Sequence, residues 1–164
     1  MKYSDLLNLD ITGKTVVIIG CPASGKTTLA KRLAERTGNR LVETDAYLRH
    51  DYKAALYELI EHDLMPFSGA VIVEGVQGYR LLRKGVEGWE GWHFYPDVVI
   101  ELKVTDEQVE RVYKKERMFD KRRAVDNVLK SVAAFAKMHQ TILDKYRAME
   151  NPHPPKWITV ENQF

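Results

Sequence analysis

The chain lacks the features that would place it in several large protein classes. It has a single cysteine, Cys21, among 164 residues. An internal disulfide is therefore excluded, and a reducing compartment is permitted. No stretch approaches the roughly 20 apolar residues of a membrane-spanning helix. The strongest apolar run near the start, Val16–Ile19, is too short for a signal-peptide core. These absences lead to the expectation of a cytoplasmic chain without membrane contact. The formal net charge is only +2, so any electrostatic signal for a partner must be local. There is no internal repeat, no low-complexity segment and no guanine-reading Asn-Lys-x-Asp motif.

What the chain does have is enough apolar material for a core, at 45% hydrophobic residues, and a charged fraction of 29% that suits a solvated surface. Its length is that of one domain, expected over 1–164. Short apolar runs alternate with longer amphipathic ones, which predicts an α/β fold: a doubly wound, five-stranded parallel sheet. The predicted strands are Thr15–Ile19, Arg40–Thr44, Ala70–Glu74, Asp97–Val104 and Trp157–Val160. Predicted helices cover Thr27–Arg36, Tyr52–Met65 and Asp126–Met149. A further helix is expected to begin at Thr105, where Thr-Asp-Glu-Gln has capping-box spacing. In such a sheet the ligand lies at the carboxyl ends of the strands.

The strongest motif is Gly20-Cys-Pro-Ala-Ser-Gly-Lys-Thr27, which fits G-x-x-x-x-G-K-[ST] without departure and stands between a predicted buried strand and a predicted helix. Gly20, Ala23, Ser24, Gly25, Lys26, Thr27 and Thr28 are thus expected to hold a nucleoside triphosphate. Glycines let successive backbone N–H groups point into one concavity, and the helix start adds partial positive charge. Lys26 is expected to bridge the β- and γ-phosphates, and the Thr27 hydroxyl to ligate Mg²⁺.

Two acidic residues stand where this sheet would present them to the phosphates. Asp45 follows the second strand and Glu74 ends the third. Asp45 is the candidate base that orients an attacking hydroxyl; Glu74 is the candidate magnesium or acceptor-side residue. On the sequence alone the two roles are interchangeable. Asp51 reads as a helix cap, and Asp63 as a solvated helix residue. Tyr47, Arg49, His50, Tyr52 and Arg80 are acceptor-side candidates, able to stack on a base or hold a phosphate.

Between Arg111 and Arg123 lie seven basic residues against two acidic ones. The segment reads as a lid over about 111–125, with Arg117, Arg122 and Arg123 stabilising the transferred charge. The competing readings are a solvated basic face and a nucleic-acid contact. The aromatic stretch Trp89, Trp92, His93, Phe94 and Tyr95 is either a stacking platform or a local cluster that anchors a loop. His139, inside an apolar stripe, reads as a core histidine.

In this order of motifs the chain resembles the nucleoside-kinase-like branch of P-loop kinases. The phosphate loop is followed by Asp45-Ala-Tyr47, Val71-Ile-Val-Glu-Gly75, Asp97-Val-Val-Ile-Glu-Leu102, a basic lid, and Pro154-Pro-Lys-Trp157 before the last strand. The layout is similar to that of uridine kinases. A second similarity is to polynucleotide 5′-hydroxyl kinases, through Gly20-Cys-Pro-Ala-Ser-Gly-Lys26, Asp45-Ala-Tyr47 and Arg123-Ala-Val125. The resemblance implies ATP as donor, Mg²⁺ as cofactor, and a nucleoside-like hydroxyl as acceptor, either free or within a nucleic-acid chain. The alternative is an NTPase or nucleotide-dependent switch that acts without an acceptor.

Overall fold

The computed structural model describes residues 1–20, 24–47, 51–75, 77–103, 121–149 and 154–161. The described elements, in chain order, are α1 (Tyr3–Leu6), β1 (Thr15–Gly20), α2 (Lys26–Thr37), β2 (Arg40–Glu43), α3 (Tyr52–Leu59), β3 (Val71–Glu74), α4 (Gly78–Glu87), β4 (Val98–Lys103), α5 (Lys121–Arg147) and β5 (Lys156–Glu161). The strands form one sheet in the order β2-β3-β1-β4-β5. Every pairing is parallel. All five carboxyl ends therefore lie along the same edge.

The strands alternate their side chains between two cores, as the period of two requires. From β1, Val16 and Ile18 face α2, packing with Leu29, Ala30 and Leu33. Val17 and Ile19 face the other way, against Leu56 and Leu59 of α3, Leu81 and Leu82 of α4, and Ile142 and Tyr146 of α5. These β1 residues are fully buried. Burial of each contributes about 1.5–3 kcal/mol. The amino ends are clamped by Asp97. Its carboxylate accepts the Thr15 N–H at 2.8 Å, its own N–H donates to the Thr15 carbonyl at 2.9 Å, and its carbonyl accepts from Lys156 at 2.9 Å.

The predicted strands agree with the observed ones to within a residue or so at each end. The helices differ more. α2 runs one residue beyond expectation at each end and stops at Gly38, which is left-handed with φ 72°. α3 changes at Ile60 into a π-helical turn, Ile60–Leu64, closed by the Met65 N–H on the Ile60 carbonyl at 2.8 Å. Asp51 does cap α3, accepting from the Lys53 and Ala54 N–H groups. α5 starts at Lys121, upstream of the expected Asp126. Lys-Arg-Arg-Ala-Val contains no helix breaker, so nothing in those residues opposes extension. The helix expected at Thr105 and lid residues 111–120 fall outside the described residues.

Helix α4 was not expected, because its ten residues include two glycines, each of low helix propensity. Packing explains them. A Cβ on Gly78 would sit 2.5 Å from Ile19 Cγ2, and one on Gly85 would sit 2.6 Å from the Phe94 carbonyl oxygen. The aromatic stretch is the loop anchor. Trp89 and Trp92 exchange backbone hydrogen bonds of 2.9 and 2.8 Å, Trp89 stacks on Tyr57 with centroids 4.8 Å apart, and Phe94 is buried in the core.

His139 is half-buried beside a second buried feature. Glu101, inside β4, accepts the Tyr79 hydroxyl at 2.5 Å and the Thr159 hydroxyl at 3.2 Å. His139 stacks on Trp157 at 4.0 Å, with Nδ1 3.7 Å from Glu101. Among the described residues no helix is long and apolar enough to cross a membrane.

The docking of α5 on the sheet is testable through Ile142, which has no exposed surface. Ile142→Ala is expected to lower the unfolding free energy by about 2–5 kcal/mol. The exposed Lys130→Ala should change it by less than about 0.5 kcal/mol. Urea midpoints at unchanged slope measure both.

Candidate functional site

The site is built where β1, β2 and β3 end together. The register sets Glu74 beside Ile18 on one side and Glu43 on the other, two residues before the sheet gives way to the phosphate loop. β1 ends at Gly20. A Cβ there would lie 2.6 Å from Ser24 Oγ and 2.7 Å from the Leu102 carbonyl, so only glycine lets the fully buried Ser24 fold back against the strand end. Gly25 is left-handed, with φ 89°, and directly precedes α2. Lys26 and Thr27 are then the first two residues of that helix.

Lys26 is 6% exposed and Glu74 only 1%. The Thr27 hydroxyl donates to Glu74 Oε1 at 3.2 Å. The other carboxylate oxygen, Oε2, is buried without a hydrogen-bond partner among the described residues. Burial pushes the Glu74 carboxyl above its ordinary value. The Lys26 ammonium and the Thr27 hydroxyl oppose the shift, and the nearby Asp45 and Glu43 carboxylates add to it.

Asp45 is exposed and lies in a short 3₁₀ turn, Thr44–Tyr47, that leaves β2. The turn crosses directly over Gly75. With φ 134°, Gly75 has a conformation that side chains rarely adopt, and a Cβ would meet Thr44 Oγ1 at 1.8 Å and Asp45 Oδ1 at 3.1 Å. Asp45, Glu74, Thr27 and Lys26, expected from the sequence, are thus brought together.

Other sequence candidates are distributed differently. Thr28 is exposed on the first turn of α2. Tyr47 donates its hydroxyl to Asp63 in the π-helical turn. That hydrogen bond and partial burial push the Tyr47 phenol up to about 12. Asp63 is therefore not the solvated helix residue expected of it; the wider turn sets it against Tyr47. Arg80 is exposed on α4 and lines a cavity between α3, α4 and α5. Ala23, Arg49, His50 and Arg117 lie outside the described residues. Arg122 and Arg123 belong to the first turn of α5, and their side chains, like that of Tyr52, lie outside the description.

Two residues of the site were missed. Thr44 is fully buried, packs over Gly75 and accepts the Gln77 N–H at 3.4 Å. Gln77 is 2% exposed, and neither end of its amide has a partner among the described residues. The only sequence signal was the glycine after Glu74, which permits such a close approach.

The donor set fits a magnesium ion. No group of three or more His, Cys, Asp or Glu able to hold a metal occurs among the described residues. Mg²⁺ in phosphoryl-transfer sites needs only one or two protein oxygens, the rest coming from phosphate and water. The Thr27 hydroxyl and the orphaned Glu74 Oε2 are such oxygens.

No protein-family model matches the chain. Shikimate kinase 2 of Yersinia pestis (strain Pestoides F) is 31% identical over 68 residues, 42% of this chain and 33% of the relative. Its counterpart in Yersinia enterocolitica is 28% identical over the same length. The chain thus matches about a third of the length of these curated relatives. Among solved structures, shikimate kinase from Acinetobacter baumannii in complex with shikimate aligns with a TM-score of 0.53 at 13% identity, covering 96% of this chain and 88% of that one. A gluconokinase from Sinorhizobium meliloti 1021 aligns with a TM-score of 0.51 at 16% identity, covering 91% and 82%. The fold is therefore that of P-loop kinases: a five-stranded parallel sheet with helices on both faces. The finer likeness to uridine and polynucleotide kinases rests on the short sequence motifs alone.

The strained charge at Glu74 has a measurable consequence. A carboxyl whose folded pKa is raised favours folding fully only below its unfolded value, about 4.3. That contribution is lost as pH rises through the folded value. Glu74→Gln removes the cost, so the ligand-free variant should melt at or above the wild-type temperature at pH 8. The difference should shrink toward pH 4. Thermal unfolding across that range, without nucleotide or magnesium, checks it. A variant markedly less stable at pH 8 would show that Glu74 is a structural ion pair.

Proposed function

We propose that this protein is a magnesium-dependent kinase that transfers the γ-phosphoryl group of ATP to an alcohol hydroxyl of a small molecule. The observation that carries the reading is the meeting of Thr27, Glu74 and Asp45 at the carboxyl edge of the sheet, beside the buried Lys26. A phosphate loop alone serves many nucleotide-binding proteins. An exposed carboxylate held over a bare glycine, next to a second carboxylate on the metal side, supplies what transfer to an alcohol needs.

Each residue then has a role. Gly20, Ala23, Ser24, Gly25 and Thr28 form the cradle for the triphosphate, and Lys26 balances charge on the β- and γ-phosphates. Thr27 and Glu74 would hold Mg²⁺, which when bound neutralises charge on the phosphoryl oxygens. Asp45 accepts the hydroxyl proton as the acceptor oxygen bonds to the γ-phosphorus. The bond from that phosphorus to the bridging oxygen breaks, and ADP leaves with the electron pair. Arg117, Arg122 and Arg123 are the lid residues that would meet the transferred charge.

The sequence motifs support a nucleoside-like hydroxyl. The curated relatives are named as shikimate kinases, which supports a free small molecule over a hydroxyl within a nucleic-acid chain.

Label transfer from γ-labelled ATP tests the reading across sugars, sugar acids, nucleosides, nucleoside monophosphates and 5′-hydroxyl oligonucleotides. One acceptor class should carry label, and Lys26→Ala should abolish it. Asp45→Asn should lower kcat by about 10²–10⁴-fold, with ATP binding near that of the wild type. Label appearing only in free phosphate, at a rate no acceptor changes, would replace the kinase with an NTPase or switch.

A further inference from the structure

The elements that follow Asp45 and Glu74 in the chain pack side by side on the same face of the sheet. The chain after Asp45 becomes α3, and the chain after Glu74 becomes α4. With α5 they enclose a cavity of about 670 Å³, a volume typical of small-molecule sites. Its charge is one-sided. Lys53 comes from α3, Arg80, Arg83 and Lys84 from α4, and Lys137 from α5, against the single carboxylate of Glu87.

That carboxylate is already engaged, because Lys145 reaches it at 2.6 Å. Lys145, Arg83 and Lys84 all hold the Glu87 carboxyl below its ordinary value. The ammonium groups of Lys53 and Lys84 lie 6.0 and 5.5 Å from the centre of the Tyr57 ring. The rest of the lining includes Leu56, Met138 and Ile142.

A solvated basic face is the ordinary meaning of clustered charge, but such a face lies on one helix. Here cations from three elements, separated by more than eighty residues of chain, converge on one concavity with an apolar floor. A low-dielectric wall behind like charges focuses a positive potential into the space. An anion there relieves the mutual repulsion and gains charge-assisted hydrogen bonds.

We infer that this cavity binds the acceptor through an anionic group, a carboxylate or a phosphate ester, carried on the molecule whose hydroxyl is phosphorylated. The inference rests on the kinase reading for the word acceptor, but the anion site stands on the cavity itself. A neutral nucleoside or neutral sugar is then the poorer substrate. The apolar floor takes the carbon skeleton, and the cations take the charge.

Matched ligands test it: a nucleoside and its 5′-monophosphate, a neutral sugar and its sugar acid. Each is titrated calorimetrically into the full chain without ATP, and each is assayed for label transfer. One anionic member should bind and its neutral partner should not, with affinity falling as salt rises. The sugar-acid and monophosphate arms separate carboxylate from phosphate.

In the double variant Arg83→Gln/Lys84→Gln, KM for the anionic acceptor should rise about tenfold or more. The KM for ATP should stay unchanged. Glu87→Gln should tighten anion binding, a gain that a misfolded protein cannot show. Equal binding of neutral and anionic partners, or no binding of either anion, would overturn the inference. So would an unchanged acceptor KM in the double variant. Anion binding that is lost in the double variant, without label transfer to any acceptor, would retain the anion site and overturn the kinase reading instead.

Discussion

A carboxylate with 1% of its surface exposed stands at the end of a parallel strand, and the surrounding structure is arranged around that charge. Burying an unpaired carboxylate is costly, so its neighbours have to compensate. Glu74 is compensated only in part: one oxygen takes the Thr27 hydroxyl, the Lys26 ammonium contributes its field, and the second oxygen has no hydrogen-bond partner among the described residues. The partial compensation holds because β3 lies between β1 and β2. That order brings the first turn of α2 from one side and the turn after β2 from the other. The missing side chain at Gly75 is the second condition. Anything larger would push Thr44 and Asp45 away from the strand end.

Glu101 shows the contrast. It too is a carboxylate buried inside a strand, but both of its oxygens are engaged, by the hydroxyls of Tyr79 and Thr159. It joins α4, β4 and β5, with His139 of α5 nearby. One buried carboxylate is satisfied and structural. The other has one oxygen with no partner among the described residues, at the carboxyl edge of the sheet. Buried unsatisfied polar groups are uncommon enough in native proteins that each calls for such an explanation.

The two faces of the sheet divide the work. α2 covers one face, with the short α1 beside it, and its first turn presents Lys26 and Thr27. The other face is covered by α3, α4 and α5. These helices follow Asp45, Glu74 and the basic segment in the chain, so the loop before α2 and the two carboxylates leave the sheet on different connections. That separation is what allows a fold of this kind to keep one phosphate-binding arrangement while the other connections change.

The sequence by itself determined the strands, the phosphate loop, the helix after it and the two carboxylates, because each depends on local chemistry. β-branched runs buried on both faces read as parallel strands, and a glycine loop ahead of Lys-Thr has few other uses. It did not determine α4, whose glycines lower helix propensity and are explained only by Ile19 and Phe94 pressing against them. Nor did it place Asp63 on Tyr47, since that contact depends on a π-helical turn. Thr44, Gln77 and the convergence of Lys53, Arg83 and Lys137 were equally invisible, being relations between segments far apart in the chain. The tertiary structure decided these through strand order and close packing, which set what lies beside each residue, whereas propensity and pattern set only what each segment becomes.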